Sequence, residues 1–115
     1  MLEFLRAKIH RATITEANPD YMGSITICSE LLAASGIKEF EKVLVSDITN
    51  GERLETYVIK GKPGEICLNG AAAKKMRIGD LVIIMAFQFL EEGKEPNPKI
   101  ILVDEKNRPV RELSV

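Results

Sequence analysis

The sequence predicts a small closed β-barrel plugged by short helical pieces, on three observations. Short strand-like runs recur along all 115 residues, separated by tight-turn signals. Only two stretches read as helical, and each is a turn or two long. The longest apolar run, "LVIIMAFQFL", is too short to cross a membrane as a helix and reads as a buried central strand. Many short strands with few helices bury their apolar faces best by closing on themselves. A length of 115 residues suits one domain that needs neither disulfides nor a metal to complete its core.

The elements follow in order. "LRAKIHRATIT", residues 5 to 15, alternates polar and apolar residues in places and gains β-branched residues toward its end, so it predicts a strand with Lys8 and His10 on one face. "EANPDYMG" reads as a turn and "SITIC" as the next strand. "SELLAASG" predicts a short helix with Ser29 capping its start and Gly36 closing its end. "KVLVSDI" and "RLETYVI" are joined through Thr49-Asn50-Gly51, a hairpin signal. In a regular strand Arg53, Glu55 and Tyr57 share one face, while Leu54, Thr56 and Val58 share the other, which lets Arg53 and Tyr57 line the same pocket. Pro63-Gly64 turns into "EICLNG", and Asn69-Gly70 leads to the single helical turn "AAAKKM". After the central strand come a polar loop, "EEGKEPNP", a last strand, "KIILV", and a charged tail from Asp104.

Charge and composition exclude several classes. With 45% hydrophobic residues, 29% charged residues and a formal net charge of -1, nothing electrostatic recruits nucleic acid or an anionic membrane. The segment "MLEFLRAKIHR" carries Glu3, Arg6 and Lys8 where a signal peptide needs an apolar stretch, so a cytoplasmic protein is expected. Cys28 and Cys67 form no C-x-x-C pair and read as small buried hydrophobes with reduced thiols. His10 is the only histidine, which leaves no multi-histidine metal site and predicts no metal.

"YMGSIT" places a Gly-Ser pair, Gly23-Ser24, at the start of a strand. Alone it supports no more than a turn. Together, "KIHRATIT", "YMGSITI", "TNGERLETYVI" and "LNGAAA", in this order and at this spacing, resemble the pyruvoyl-dependent aspartate 1-decarboxylases as far as about Asp104. The resemblance implies a mainly-β protein, a double-psi β-barrel with short helices, as one domain over residues 1–115. It also implies a homotetramer with active sites between subunits, and self-cleavage between Gly23 and Ser24 into chains of residues 1–23 and 24–115.

The implied chemistry explains the residue types. Ser24 Oγ attacks the unshielded carbonyl of Gly23 and converts an amide to an ester, in a backbone conformation that glycine permits. β-Elimination and hydrolysis then leave a pyruvoyl group at position 24. Its ketone forms a Schiff base with L-aspartate and accepts the electrons released when the α-carboxylate departs as carbon dioxide. The product is β-alanine, for pantothenate biosynthesis.

By the same resemblance Arg53, a guanidinium fork matched to carboxylates, holds a substrate carboxylate, and Lys8 adds positive charge for a substrate with two. Tyr57 is the proton donor to the decarboxylated intermediate. Thr56 belongs to self-cleavage, where a hydroxyl can donate to the developing oxyanion; in a regular strand it points away from Tyr57, so the two serve different regions or different subunits' sites. Asn69 with the backbone of Gly70, Ala71 and Ala72 cradles the ester and the pyruvoyl through free N–H groups at a helix start. His10 is supporting, and Tyr21 is positional. Ser46, Lys74 and Ile25 stand where some relatives carry tryptophan, histidine and cysteine. Two other readings compete: a non-enzymatic double-psi or swapped-hairpin barrel that binds a partner, and a pyruvoyl decarboxylase for another acidic amino acid such as glutamate. The letters leave open a maturation helper protein and which carboxylate Arg53 and Lys8 each hold.

Overall fold

Strand β1, Leu2–Thr13, forms where apolar and polar residues alternate: Ala7 and Ile9 are fully buried, while Lys8 and His10 face the other way. Arg11 then takes a positive φ of 70°, and the register of β1 shifts between His10 and Ala12. This bulge reverses the parity of the strand, so Ala12 rather than Arg11 meets the core.

A computed structural model describes residues 1–113. After β1 come β2 (Glu16–Asn18), β3 (Ser24–Cys28), α1 (Ser29–Ser35), β4 (Lys42–Asp47), β5 (Arg53–Gly61) and β6 (Ile66–Asn69). The chain continues through α2 (Ala72–Lys75), β7 (Leu81–Leu90), β8 (Lys99–Val103) and β9 (Pro109–Leu113). The strands hydrogen-bond in the order β2-β6-β3-β5-β4-β7-β1-β8-β9. Three pairs are parallel, β1 with β8, β2 with β6 and β3 with β5, and the others are antiparallel. The curled sheet encloses one contiguous core to which β1 and β3 to β8 contribute, including Ile9, Ile25, Ile27, Val45, Val58, Leu68, Ile84 and Ile101. The fold is mainly β with two short helices, of the double-psi barrel kind.

Local expectations are met unevenly. Gly36 closes α1 in the left-handed region at φ 77°, donating its N–H to Leu32 O at 2.9 Å. Ser29, however, does not cap α1: the capping position is Cys28, with no side-chain cap bond. The β4–β5 connection is a five-residue loop rather than a two-residue turn. Only Gly51 in it has positive φ, and Asp47 Oδ1 organises it by accepting from Thr49 N at 2.8 Å and Asn50 N at 3.1 Å. The segment read as a turn after β1 contains β2, whose pairing with β6 carries no apolar signature of its own. The central strand β7 is buried at Val82, Ile84 and Ala86, but its far end is not, with Phe87 39% and Phe89 64% exposed.

The charged tail is also structured. β9 pairs with β8, and Asn107 ties the turn before it to the barrel. Its Oδ1 accepts from Thr13 N at 2.7 Å, and its Nδ2 donates to Thr13 O at 2.8 Å and Gly64 O at 2.9 Å. The last two residues of the tail lie outside the described range.

Candidate active site

Ser24 opens β3, and the antiparallel register sets it opposite Asn69, the last residue of β6. Both side chains are buried, and Asn69 Nδ2 donates to Ser24 Oγ at 2.9 Å. The same Nδ2 donates to Thr26 Oγ1 at 3.1 Å. Ser24 Oγ donates in turn to Met22 O at 3.4 Å, a long contact that leaves the hydroxyl weakly engaged on that side. Gly70 presses on the same dipeptide from behind. Its φ is 67°, and a Cβ there would lie 2.7 Å from Gly23 Cα and 2.9 Å from Gly23 N. Gly23 itself has no positive φ and open space around its Cα, so its conformation does not demand glycine; what the missing side chain leaves is an unshielded carbonyl.

A cleft of about 380 Å³ opens at Gly23 and is walled by Leu54, Glu55, Thr56 and Tyr57 of β5, with Asn69, Ala71, Ala72 and Lys75. Its position follows from strand pairing. β3 joins β5 in parallel only from Ile25 opposite Val58, so the β5 edge over residues 54 to 57 has no strand beside it. Continued two steps, that register sets Ser24 level with Tyr57 and Gly23 level with Thr56. An unpaired edge is reached from both faces, which is why Thr56 and Tyr57 wall the same cleft although they alternate. The Gly70 N–H donates to Asn18 O at 2.9 Å and is not free for an anion, which leaves Ala71 and Ala72 as the N–H groups that could turn toward one. A larger hollow of about 540 Å³, lined by Arg6, Gly36, Glu95 and Glu112 among others, contains none of these residues.

Arg53, Lys8 and His10 do not wall the cleft. Arg53 is exposed at the start of β5, four positions before Tyr57 on the same strand. The three residues instead sit on the barrel's outward face. One row across the sheet runs Arg53, Ser46, Ile83, His10, and the adjacent row runs Glu55, Leu44, Met85, Lys8. Among the described residues neither Arg53 nor Lys8 has an ion-pair partner. Burial first, then the charges of Lys8 and Arg11, hold the His10 imidazole below its ordinary pKa, and its Nδ1 is buried without a hydrogen-bond partner. Tyr21 is 59% exposed, and its carbonyl backs onto Gly70.

Comparison with known proteins decides the family. The aspartate decarboxylase family profile matches residues 1–110. The chain belongs to the aspartate decarboxylase family. Proteins named aspartate 1-decarboxylase are similar to it over nearly their whole length. The one from Caldicellulosiruptor saccharolyticus is 58% identical, covering 96% of this chain and 90% of its own. Those from Campylobacter hominis, at 56% identity over 92% and 95% of the two chains, and Acetivibrio thermocellus, at 55% over 93% and 88%, are comparably similar.

Several residues of the site carry no signal in the sequence that singles them out. Leu54, Glu55 and Lys75 wall the cleft, and Thr26 and Cys67 hold Asn69, with Cys67 Sγ 3.3 Å from Asn69 Oδ1. Thr26 was nonetheless open to detection, because it lies two residues from Ser24 on the same face of β3. Cys67 was not, because the letters of β6 do not say which strand it faces; the register sets it opposite Thr26. The site fits a cofactor made from Ser24: the serine is buried, held by an amide, and joined to a glycine that opens on the cleft. No helix among the described residues is long and apolar enough to cross a membrane.

Proposed function

We propose that the chain cleaves itself between Gly23 and Ser24 and then decarboxylates L-aspartate to β-alanine. The observation that carries this reading is the buried Ser24 hydroxyl, held by Asn69 Nδ2 at 2.9 Å and attached to a glycine that opens onto the Thr56–Tyr57 cleft. In the first step Ser24 Oγ bonds to the Gly23 carbonyl carbon, the Gly23–Ser24 amide bond breaks, and the hydroxyl proton ends on the former amide nitrogen. Thr56 and Asn69 stabilise the oxyanion that forms on the way. The close approach of Gly70, which leaves no room for a side chain there, holds the scissile dipeptide against the end of β6. Folding therefore precedes cleavage.

The pyruvoyl group that position 24 then carries supplies an electrophilic carbonyl and an electron sink for loss of the α-carboxylate. The chain's own residues bind and orient. Arg53 grips a carboxylate of aspartate bidentately, and Lys8 offsets the remaining negative charge. Tyr57, at the cleft wall, delivers the proton to the former α-carbon. His10, neutral in its setting, orders the cationic face without adding to its charge. Because Arg53, Lys8 and His10 lie on the outward face and Ser24 lies in the cleft, one site draws on two protomers, within a homotetramer. The reaction serves pantothenate biosynthesis.

Intact mass spectrometry under denaturing conditions, paired with carbon dioxide release from aspartate and from glutamate, tests this. Two fragments divided after Gly23, the longer one blocked by a pyruvoyl group, with turnover of aspartate, are expected. A chain that stays whole after prolonged warming, even with cell extract added to supply a helper protein, rejects the reading. Faster turnover of glutamate would reassign the substrate and keep the chemistry.

A further inference from the structure

We propose that Cys67 is a positioning residue for self-cleavage, its S–H fixing the orientation of the Asn69 amide so that the NH2 edge, and not the carbonyl, meets Ser24. The inference rests on the self-cleavage reading above. Asn69 has three side-chain partners: its Nδ2 donates to Ser24 Oγ at 2.9 Å and to Thr26 Oγ1 at 3.1 Å, and its Oδ1 accepts from Cys67 Sγ at 3.3 Å. Two of the three are indifferent to orientation. A hydroxyl both donates and accepts, so Ser24 and Thr26 would bond equally well to either edge of a flipped amide. A thiol is different, because its S–H can donate to the amide carbonyl whereas its sulfur is only a weak acceptor for the NH2 edge. Cys67 therefore decides between two arrangements that the hydroxyls leave nearly equal. Among the described residues its only other acceptor is Leu68 O, at 3.9 Å.

The thiol keeps its proton for this task. Burial, with the nearby carboxylates of Glu16 and Glu65, pushes it up to about 11. The geometry is built into the ladder: β6 sets Cys67 opposite Thr26 and Asn69 opposite Ser24, so thiol, amide and both hydroxyls lie on the β3–β6 seam.

Orientation matters because the attacking oxygen sheds its proton. With NH2 toward it, Ser24 Oγ accepts a hydrogen bond, and its own proton points away toward Met22 O. A donor is then already in place as negative charge builds on Oγ. With the amide flipped, Oδ1 would hold the serine proton and face that charge as a second acceptor.

The test follows newly made chain from cell-free synthesis, chased at constant temperature, with the fraction cut after Gly23 read by intact mass. Four chains are compared: wild type, Cys67→Ser, Cys67→Ala and Cys67→Val. Serine, like Ser24 and Thr26, donates and accepts alike, so it leaves the two orientations of the Asn69 amide nearly equal, and cleavage at about half the wild-type rate is expected. Alanine and valine offer no bond to either edge, which also leaves the two orientations nearly equal, and a slowing of about twofold is expected. Valine fills the thiol's space, so it reads donor loss even if alanine lets the seam collapse; melting temperatures of all four chains identify variants that misfold. Cleavage of Cys67→Val or of Cys67→Ser at the wild-type rate, with a wild-type melting temperature, would overturn the inference. A wild-type chain that never cuts would instead remove the self-cleavage reading itself.

Discussion

Gly70 carries more constraint than any other glycine near the site. It combines a left-handed φ of 67° with contacts that a Cβ would bring to 2.7 and 2.9 Å of the Gly23 backbone. Gly70→Ala should therefore cost about 1–2 kcal/mol from the backbone alone and also displace the scissile dipeptide. Cleavage by that variant, followed by mass, should fall far more than its melting temperature; normal cleavage would mean that Gly23 tolerates the push. Tyr57 allows a cleaner separation of steps. Tyr57→Phe keeps the cleft wall and removes only the hydroxyl, so it should still divide into two fragments while aspartate turnover falls by about 10²-fold or more. Failure to divide would move Tyr57 from the second reaction to the first.

The loop between β4 and β5 owes its shape to a carboxyl pair. Asp47 is buried beside Asp80 with its Oδ2 lacking a donor, a vacancy that one proton shared between the two carboxyls fills. Burial first, then the hydrogen bond to Asp80, raises the pKa of Asp47, and the same bond with Arg77 N lowers that of Asp80. The Asp47 contribution to stability is complete below its ordinary pKa of 3.8 and is lost as pH rises through the raised value. The Asp80 contribution is complete above 3.8 and is lost as pH falls through its lowered value. Stability from the pair therefore peaks near the ordinary value of 3.8 and declines as pH rises above it. Asp47→Asn replaces the shared proton with a permanent donor to Asp80 while keeping the Oδ1 that organises the loop. A thermal-shift series running upward from about pH 4 should show wild type losing melting temperature where the variant does not. Parallel curves for the two would remove the shared proton from the account.

At the scale of the whole molecule the cationic face and the cleft are separate features of one barrel. Arg53, Lys8 and His10 occupy adjacent rows of the outward sheet face, and Ser24 with Thr56, Tyr57 and Asn69 gathers at the unpaired edge of β5. A site shared between protomers predicts complementation. Ser24→Ala chains, which cannot make the cofactor, and Arg53→Ala chains, which lack the carboxylate grip, should each be inactive alone. Mixed by co-expression, they should recover aspartate turnover through sites that combine an intact Ser24 with an intact Arg53. No recovery from assembled mixtures would place both residues' work within one protomer.

Much of this protein was legible in its letters, because barrel strands announce themselves by β-branched alternation and its turns by Asn, Gly and Pro. Strands β1, β3, β4, β5, β7 and β8, the αL closure at Gly36 and the family itself follow from local pattern or from motifs at fixed spacing. β2 and β9 did not, since three residues of "EAN" and a charged tail are held by partners distant in sequence: β6 for one, β8 with Asn107 for the other. The site divides in the same way. Gly23, Ser24, Asn69 and Tyr57 stand in recognisable strings, but that Thr56 and Tyr57 wall one cleft, that Arg53 does not, and that Cys67 bonds Asn69 depend on strand register. Register is chosen by the whole barrel closing around its core, and no short stretch of sequence contains that choice.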